Sequence, residues 1–189
     1  MSVSSALDKR ERLAEAAAVL IHRQGFAHTT LADIADEAKV ALGSVYYYFK
    51  TKDDVAKAIL SRRQGEFSHA LENIDRLPDP LKRLQALVGI WVSDRDIDAR
   101  YGCPIGSLCY ELAKGRGPLS DEASAPFRTM IAWCEKQFRL LGKTKQKASA
   151  LALHMVASLQ GISLIANALG DPDTILAEAK YLSDWLRNV

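Results

Sequence analysis

Apolar side chains recur at steps of three and four residues through nearly all of this chain, and the short alternating Val/Ile/Thr runs of half-buried strands do not appear. A 3.6-residue repeat gathers such positions on one helical face, so the expected fold class is all-α. Leu13, Ala17, Leu20 and Ile21 form the stripe of a first helix ending at about Gln24, where Gly25 supplies the stop and Phe26 tucks behind. Two short helices, about Leu31 to Glu37 and Leu42 to Phe49, precede a long fourth helix that carries Val55, Ile59, Phe67, Leu71 and Ile74. Leu77-Pro78-Asp79-Pro80 breaks it, because proline lacks the N–H and its ring clashes with the preceding turn. A fifth helix follows with Leu84, Leu87, Val88 and Trp91 on one face and a solvated end at Asp94 to Asp98. A sixth runs from Pro104 to Ala113, and a seventh carries Phe127, Met130, Ile131, Cys134 and Phe138. The eighth runs from Lys145 to Leu169, and Gly170-Asp171-Pro172 separates it from an amphipathic ninth. Lys114-Gly115-Arg116-Gly117-Pro118 reads as a flexible connector.

A length of 189 residues favours two unequal units, and 48% hydrophobic with 25% charged residues is the balance of an ordinary globular protein. The formal net charge is only +2, so a nucleic-acid surface has to be a local patch. No stretch approaches roughly 18 to 20 uninterrupted apolar residues, and the N-terminus lacks a basic, apolar and cleavable signal. A cytoplasmic location without membrane contact is expected. The three cysteines form no CxxC pair and the four histidines no ligand cluster, so no metal or cofactor is expected and the thiols read as reduced.

The chemistry concentrates in residues 31–52. Thr30 is a good N-cap with Asp33 placed to bond back, and Thr51 with Asp54 repeats the device before the fourth helix. Ile34, Ala38, Val40 and Val45 can form a core shared by the two short helices, with Ala35 small enough for close approach and Phe49 turned inward. This is what a helix-turn-helix needs to set its second helix in a major groove. Lys39, Lys50 and Lys52 lie in an acid-free window from Ala38 to Lys52, a local charge of about +3. Gly43 and Ser44 permit close approach to the DNA backbone, and Tyr46, Tyr47 and Tyr48 offer hydroxyls to phosphates and rings to thymine methyls. Two packed helices with a solvated lysine edge would satisfy periodicity and charge equally well.

Gly25-Phe26, Thr29-Thr30, Ile34-Ala35 and the run from Val40 to Lys52 resemble the signature of TetR/AcrR transcription regulators. The resemblance covers about the first third of the chain. It implies a nine-helix, two-domain architecture with a DNA-binding domain at 1–52 and an effector-binding and dimerisation domain at 53–189. Thr30, Ser44, Tyr46, Tyr47 and Lys52 match positions that commonly contact DNA, Tyr46 and Lys52 usually at phosphates. Ala41, Leu42 and Gly43, at the start of the reading helix, complete the expected contact set. The resemblance further implies a homodimer on a partly palindromic operator, released by a small-molecule effector. Two positions depart from the pattern: Lys39 stands where the turn usually has Gly, and Ala41 where the reading helix usually starts with Ser or Thr. The first costs roughly 1 kcal/mol if left-handed, and the second forfeits a cap of about 1 kcal/mol.

For the second domain, Trp91, Cys103, Leu108, Phe127, Met130 and Cys134 are the expected effector-pocket residues, although such side chains are more often plain core. Trp133 fits a pocket wall, a dimer contact or a surface position, and His154 a ligand donor or a core group. Cys103 precedes Pro104 at a helix N-terminus, which favours thiolate. Tyr101 to Leu108, followed by Glu111-Leu112, is similar to a segment in a TetR subgroup with members that respond to electrophiles or oxidants, so a Cys103 sensor is one alternative. An inert turn cysteine is the other. Small residues on the eighth helix, Ala148, Ala152, Ala157, Gly161 and Ala166, suit close helix packing. Ala157, Gly161, Leu164, Leu182 and Trp185 are the expected dimer contacts. A helical enzyme with a Cys103 nucleophile is disfavoured because no histidine lies near it in sequence, and no catalytic residue is assigned. A purely protein-binding scaffold leaves the lysine window unexplained, and the sign of regulation stays open.

Overall fold

The computed structural model describes residues 3–115 and 118–189, and every regular element among them is a helix. In order these are α1 (Val3–Gln24), α2 (Leu31–Glu37), α3 (Leu42–Tyr48), α4 (Lys52–Ile74), α5 (Pro80–Ser93), α6 (Arg95–Tyr101), α7 (Pro104–Ala113), α8 (Pro118–Ala123), α9 (Ala125–Leu140), α10 (Lys145–Leu169) and α11 (Asp173–Asn188). All nine helices read from periodicity have counterparts. The short α6 and α8 are additional: α6 restarts after Asp94, in the stretch read as a solvated helix end. The connector expected at 114–118 lies partly outside the described residues, at Arg116 and Gly117.

The chain divides into two compact units, one of residues up to Gln64 with Ser107–Ser124, the other of Gly65–Gly106 with Ala125–Val189. This geometric border differs from the functional one drawn at residue 52, because a long helix buries successive stretches among different neighbours. In α4, Val55, Ala56, Ile59 and Leu60 are buried in the first unit, and Phe67 and Leu71 in the core of the second. Helix α7 crosses the same border, with 104–106 in the second unit and 107–113 in the first.

In the first unit α1 packs on α2 and α2 on α3. Leu13, Ile34, Val45, Phe49 and Val55 are at most 1% exposed, and burial of each large apolar side chain contributes about 1.5–3 kcal/mol relative to exposure. In the second unit α10 is central, packing on α9, α11, α6 and α5. Its Ala148, Ala152 and Ala166 are fully buried within this unit, so these small residues serve packing inside the protomer and not a second chain. Gly170, at φ 64°, closes α10 in the left-handed conformation that glycine adopts without a Cβ clash. An 18-residue window of α10 has a mean hydropathy of 1.6, so by length and composition this helix is apolar enough to cross a membrane. A search for uninterrupted apolar runs passes over it because His154, Ser158 and Gln160 break the run without lowering the average far.

Candidate nucleic-acid interface

The two short helices begin differently. Thr30 caps α2 in a reciprocal box: its Oγ1 accepts from the Asp33 N–H at 3.1 Å, and its own N–H donates to Asp33 Oδ2 at 2.8 Å. These hydrogen bonds hold the Asp33 carboxyl below its usual range. Helix α3 starts at Ala41, whose backbone is extended for a cap but whose side chain supplies no bond. Between them Lys39 sits at φ 53°, the left-handed conformation in which glycine avoids the Cβ clash. Ile34 and Val45 are fully buried, Ala35 and Ala38 nearly so, and Val40 is half-buried, which locks the pair together.

Buried Val45 and Phe49 turn the opposite side of α3 outward. Ala41, Leu42, Gly43, Tyr46 and Tyr47 are exposed, Tyr47 at 73%, while Ser44 and Tyr48 are half-buried. No heavy atom outside the immediate backbone stands within 4 Å of where a Cβ on Gly43 would lie, so this position is open to a close partner. Thr30 and Lys39 are exposed on the same unit. The lysines at the far end of α3 already have protein contacts. Lys50 Nζ donates to the Tyr46 carbonyl at 2.8 Å, and Lys52 Nζ donates to the Ala27 carbonyl at 3.0 Å while lying 4.5 Å from the centre of the Phe26 ring. At the start of α4, Asp54 Oδ2 accepts from the Lys50 and Thr51 N–H groups, which lowers its pKa.

One participant in this unit stands, by sequence, only within the segment similar to a TetR subgroup, with no role assigned to it. The Glu111 carboxylate on α7 accepts from two successive backbone N–H groups of the α1–α2 turn, Phe26 to Oε1 and Ala27 to Oε2, both at 3.0 Å. Its partners lie 84 and 85 residues away, beyond the reach of any helical period or cap rule. An open cavity of about 470 Å³ flanks it, lined by Phe26, Asp53, Asp54, Lys57, Glu111 and Leu119 among others. Lys57 pairs with Glu122 of α8 at 3.2 Å.

The residues expected to form an effector pocket fall in both units. Leu108 belongs to the first unit and is buried there, whereas Trp91, Cys103, Phe127, Met130 and Cys134 belong to the second. Met130 and Cys134 are at most 1% exposed in the continuous core, as packing residues are, and Phe127 leans against that core half-buried. Trp91 is tied by its indole: Nε1 donates to Ser163 Oγ at 2.8 Å, and Ser163 donates onward to the buried Asp98 at 2.7 Å. Trp133 is buried too, with Nε1 donating to Asp75 Oδ1 at 3.1 Å, so it is no surface residue. Of the two readings of Cys103, its surroundings favour the inert thiol. Burial pushes this thiol up, outweighing the lowering effect of the Gly106 N–H that donates to Sγ at 3.4 Å, and Asp98 adds to the rise. Burial alone pushes Cys134 up to about 12. A protonated thiol is a poor nucleophile, which weakens the sensor and enzyme readings of Cys103 alike.

Of the expected dimer contacts, Ala157 and Leu164 are exposed on α10, Leu164 at 70%, and Gly161 is half-buried with open space at its Cβ position. Leu153, Ile165 and Leu169 extend the exposed apolar row. Leu182 does not belong to it: at 5% exposure it packs in the core, because the inward face of α11 carries Ile175, Ala179, Leu182 and Leu186. Trp185 is half-buried, its ring edge-on to Phe138 and to His154, which is exposed on α10.

Residues 13–59 match the family model of the N-terminal domain of TetR-family bacterial regulatory proteins, and residues 80–181 match the LmrA/YxaF-like C-terminal domain of transcriptional regulators. An uncharacterised helix-turn-helix regulator from the lacX 3′ region of Lactococcus lactis subsp. lactis is 25% identical over 90% of this chain and 89% of its own. The regulator LmrA of Bacillus subtilis is 22% identical over 95% and 97% of the two chains. A solved TetR-family regulator from Agrobacterium tumefaciens superposes with a TM-score of 0.84, at 24% identity over 95% of this chain and 97% of its own, a likeness of fold.

Proposed function

Since the chain belongs to the TetR family of bacterial regulatory proteins, with an LmrA/YxaF-like second half, and is a DNA-binding transcriptional regulator, we propose that it works as a cytoplasmic, effector-released repressor. The observation that carries this reading is the outward edge of α3, where Ala41, Leu42, Gly43, Tyr46 and Tyr47 are exposed within an acid-free window that carries three lysines. Small residues at the start of α3 let its backbone approach a groove floor, and the tyrosine hydroxyls reach phosphates or base edges. Two copies, paired through the exposed row on α10, would present two such helices to a partly palindromic operator. A small molecule bound in the second unit would act through α4, which is continuous between the units, and shift the population towards a spacing of the readers that no longer fits DNA.

Fluorescence anisotropy with labelled duplexes from the neighbourhood of its own gene tests the proposal. Binding should weaken linearly in log Kd against log salt, as counterion release requires. Failure to bind any such duplex in a salt-sensitive way sinks it.

A further inference from the structure

The turn between α1 and α2 is gripped from two directions. The Glu111 carboxylate takes the N–H groups of Phe26 and Ala27, one on each oxygen, and the Lys52 ammonium takes the Ala27 carbonyl and covers the Phe26 ring. Successive backbone N–H groups next to a left-handed residue form a concavity that binds anions. Gly25, at φ 86°, is that residue, and a Cβ there would stand 3.1 Å from Glu111 Oε1. The glycine therefore serves both the turn and the approach of the carboxylate. Two residues further on, Thr29 Oγ1 donates to the Gly25 carbonyl at 2.8 Å, and the next residue is the cap of α2. The grip thus ends where the helix-turn-helix begins.

We infer that Glu111 is a positioning residue for the DNA reader: its two-oxygen clasp on the Phe26–Ala27 amides lets α7 fix the turn from which the reader's first helix starts. The inference rests on the proposed regulator reading and deepens it. Helix α7 starts at Pro104, directly after Cys103, whose Sγ accepts from the Gly106 N–H in the second unit, and it ends within the first. An open cavity flanks the carboxylate, so the clasp can open without repacking a core. Charge-assisted hydrogen bonds suit this role, since they are stronger than neutral ones and depend on direction.

Three full-length variants test it on the duplex that the wild type selects from a randomised pool: Glu111→Ala, Glu111→Gln, and Glu122→Gln as a control that breaks the exposed Lys57 pair on α8. Glutamine keeps one accepting oxygen and loses the other. Operator affinity should therefore fall in the order wild type, Glu111→Gln, Glu111→Ala, by about tenfold in all, with Glu122→Gln within about twofold of wild type. Hydrogen exchange should quicken at the Phe26 and Ala27 amides in both Glu111 variants, and the buried segments of α1–α3 should keep their protection. Glu111→Ala binding like wild type despite quickened turn amides overturns the inference. Exchange that quickens across the whole first unit also overturns it, since it marks general loosening. A wild type that enriches no sequence at all refutes the regulator reading, a different result from either.

Discussion

Side chain by side chain, the same chemical group is assigned opposite behaviour by chain position and by burial. Next to a helix start, Cys103 has the local setting of an activated thiolate, and the Gly106 N–H does act in that direction. Removal from water acts against it and wins, because a buried sulfur loses more hydration on ionising than one N–H returns. The net direction therefore favours the thiol over the thiolate. Alkylation of Cys103 by iodoacetamide should be slow at neutral pH and still rising, without a plateau, at pH 9; a rate already level near pH 7 would show a lowered pKa and revive the sensor reading. Cys134, pushed up to about 12 and fully buried, should stay unlabelled in the native protein throughout.

At the level of single helices, α2 and α4 have complete caps, and α3, the proposed reading helix, does not. Ala41 already holds the extended backbone of a cap residue, at φ −65° and ψ 142°, so only the accepting oxygen is missing. Ala41→Ser should raise stability by about 1 kcal/mol in thermal or urea unfolding, and an unchanged midpoint would show that water already satisfies the first-turn N–H groups. Asp33 and Asp54 carry the converse dependence. Their lowered pKa values mean that the stability they lend is present above the ordinary carboxylate range and is lost as pH falls through their folded-state values. Helix α10 shows a different rule for a whole element: one face, with Ala148, Leu151, Ala152, Leu159 and Ala166, is turned to its own unit, and another, with Leu153, Leu164, Ile165 and Leu169, is turned to solvent.

In the complete molecule that exposed row is where a second protomer is expected. Leu153, Leu164, Ile165 and Leu169 are each more than half exposed on one helix, apolar area that a dimer would remove from water. Leu164→Asp should give a helical but monomeric protein in sedimentation, and operator affinity should fall because a monomer holds only half of a two-fold site. Because Leu164 is 70% exposed in the protomer, the substitution leaves the core intact. A Leu164→Asp protein that still sediments as a dimer would move the interface elsewhere.

How far the chain could be read from its own letters follows from the range of each interaction. Helix periodicity, the Thr30 and Thr51 caps, the missing cap at Ala41 and the inward Phe49 all depend on neighbours within one or two turns, and the residues by themselves determined them. The outward edge of α3 follows equally, since burying Val45 and Phe49 leaves the other face to solvent. Tertiary structure alone decided what rests on partners far along the chain: the Glu111 clasp on Phe26 and Ala27, the assignment of Leu108 to the first unit, the core position of Leu182 and the raised Cys103 pKa. A period shows which residues share a helical face, but which face meets another helix, and how much water remains there, is set by packing between elements that no local pattern encodes.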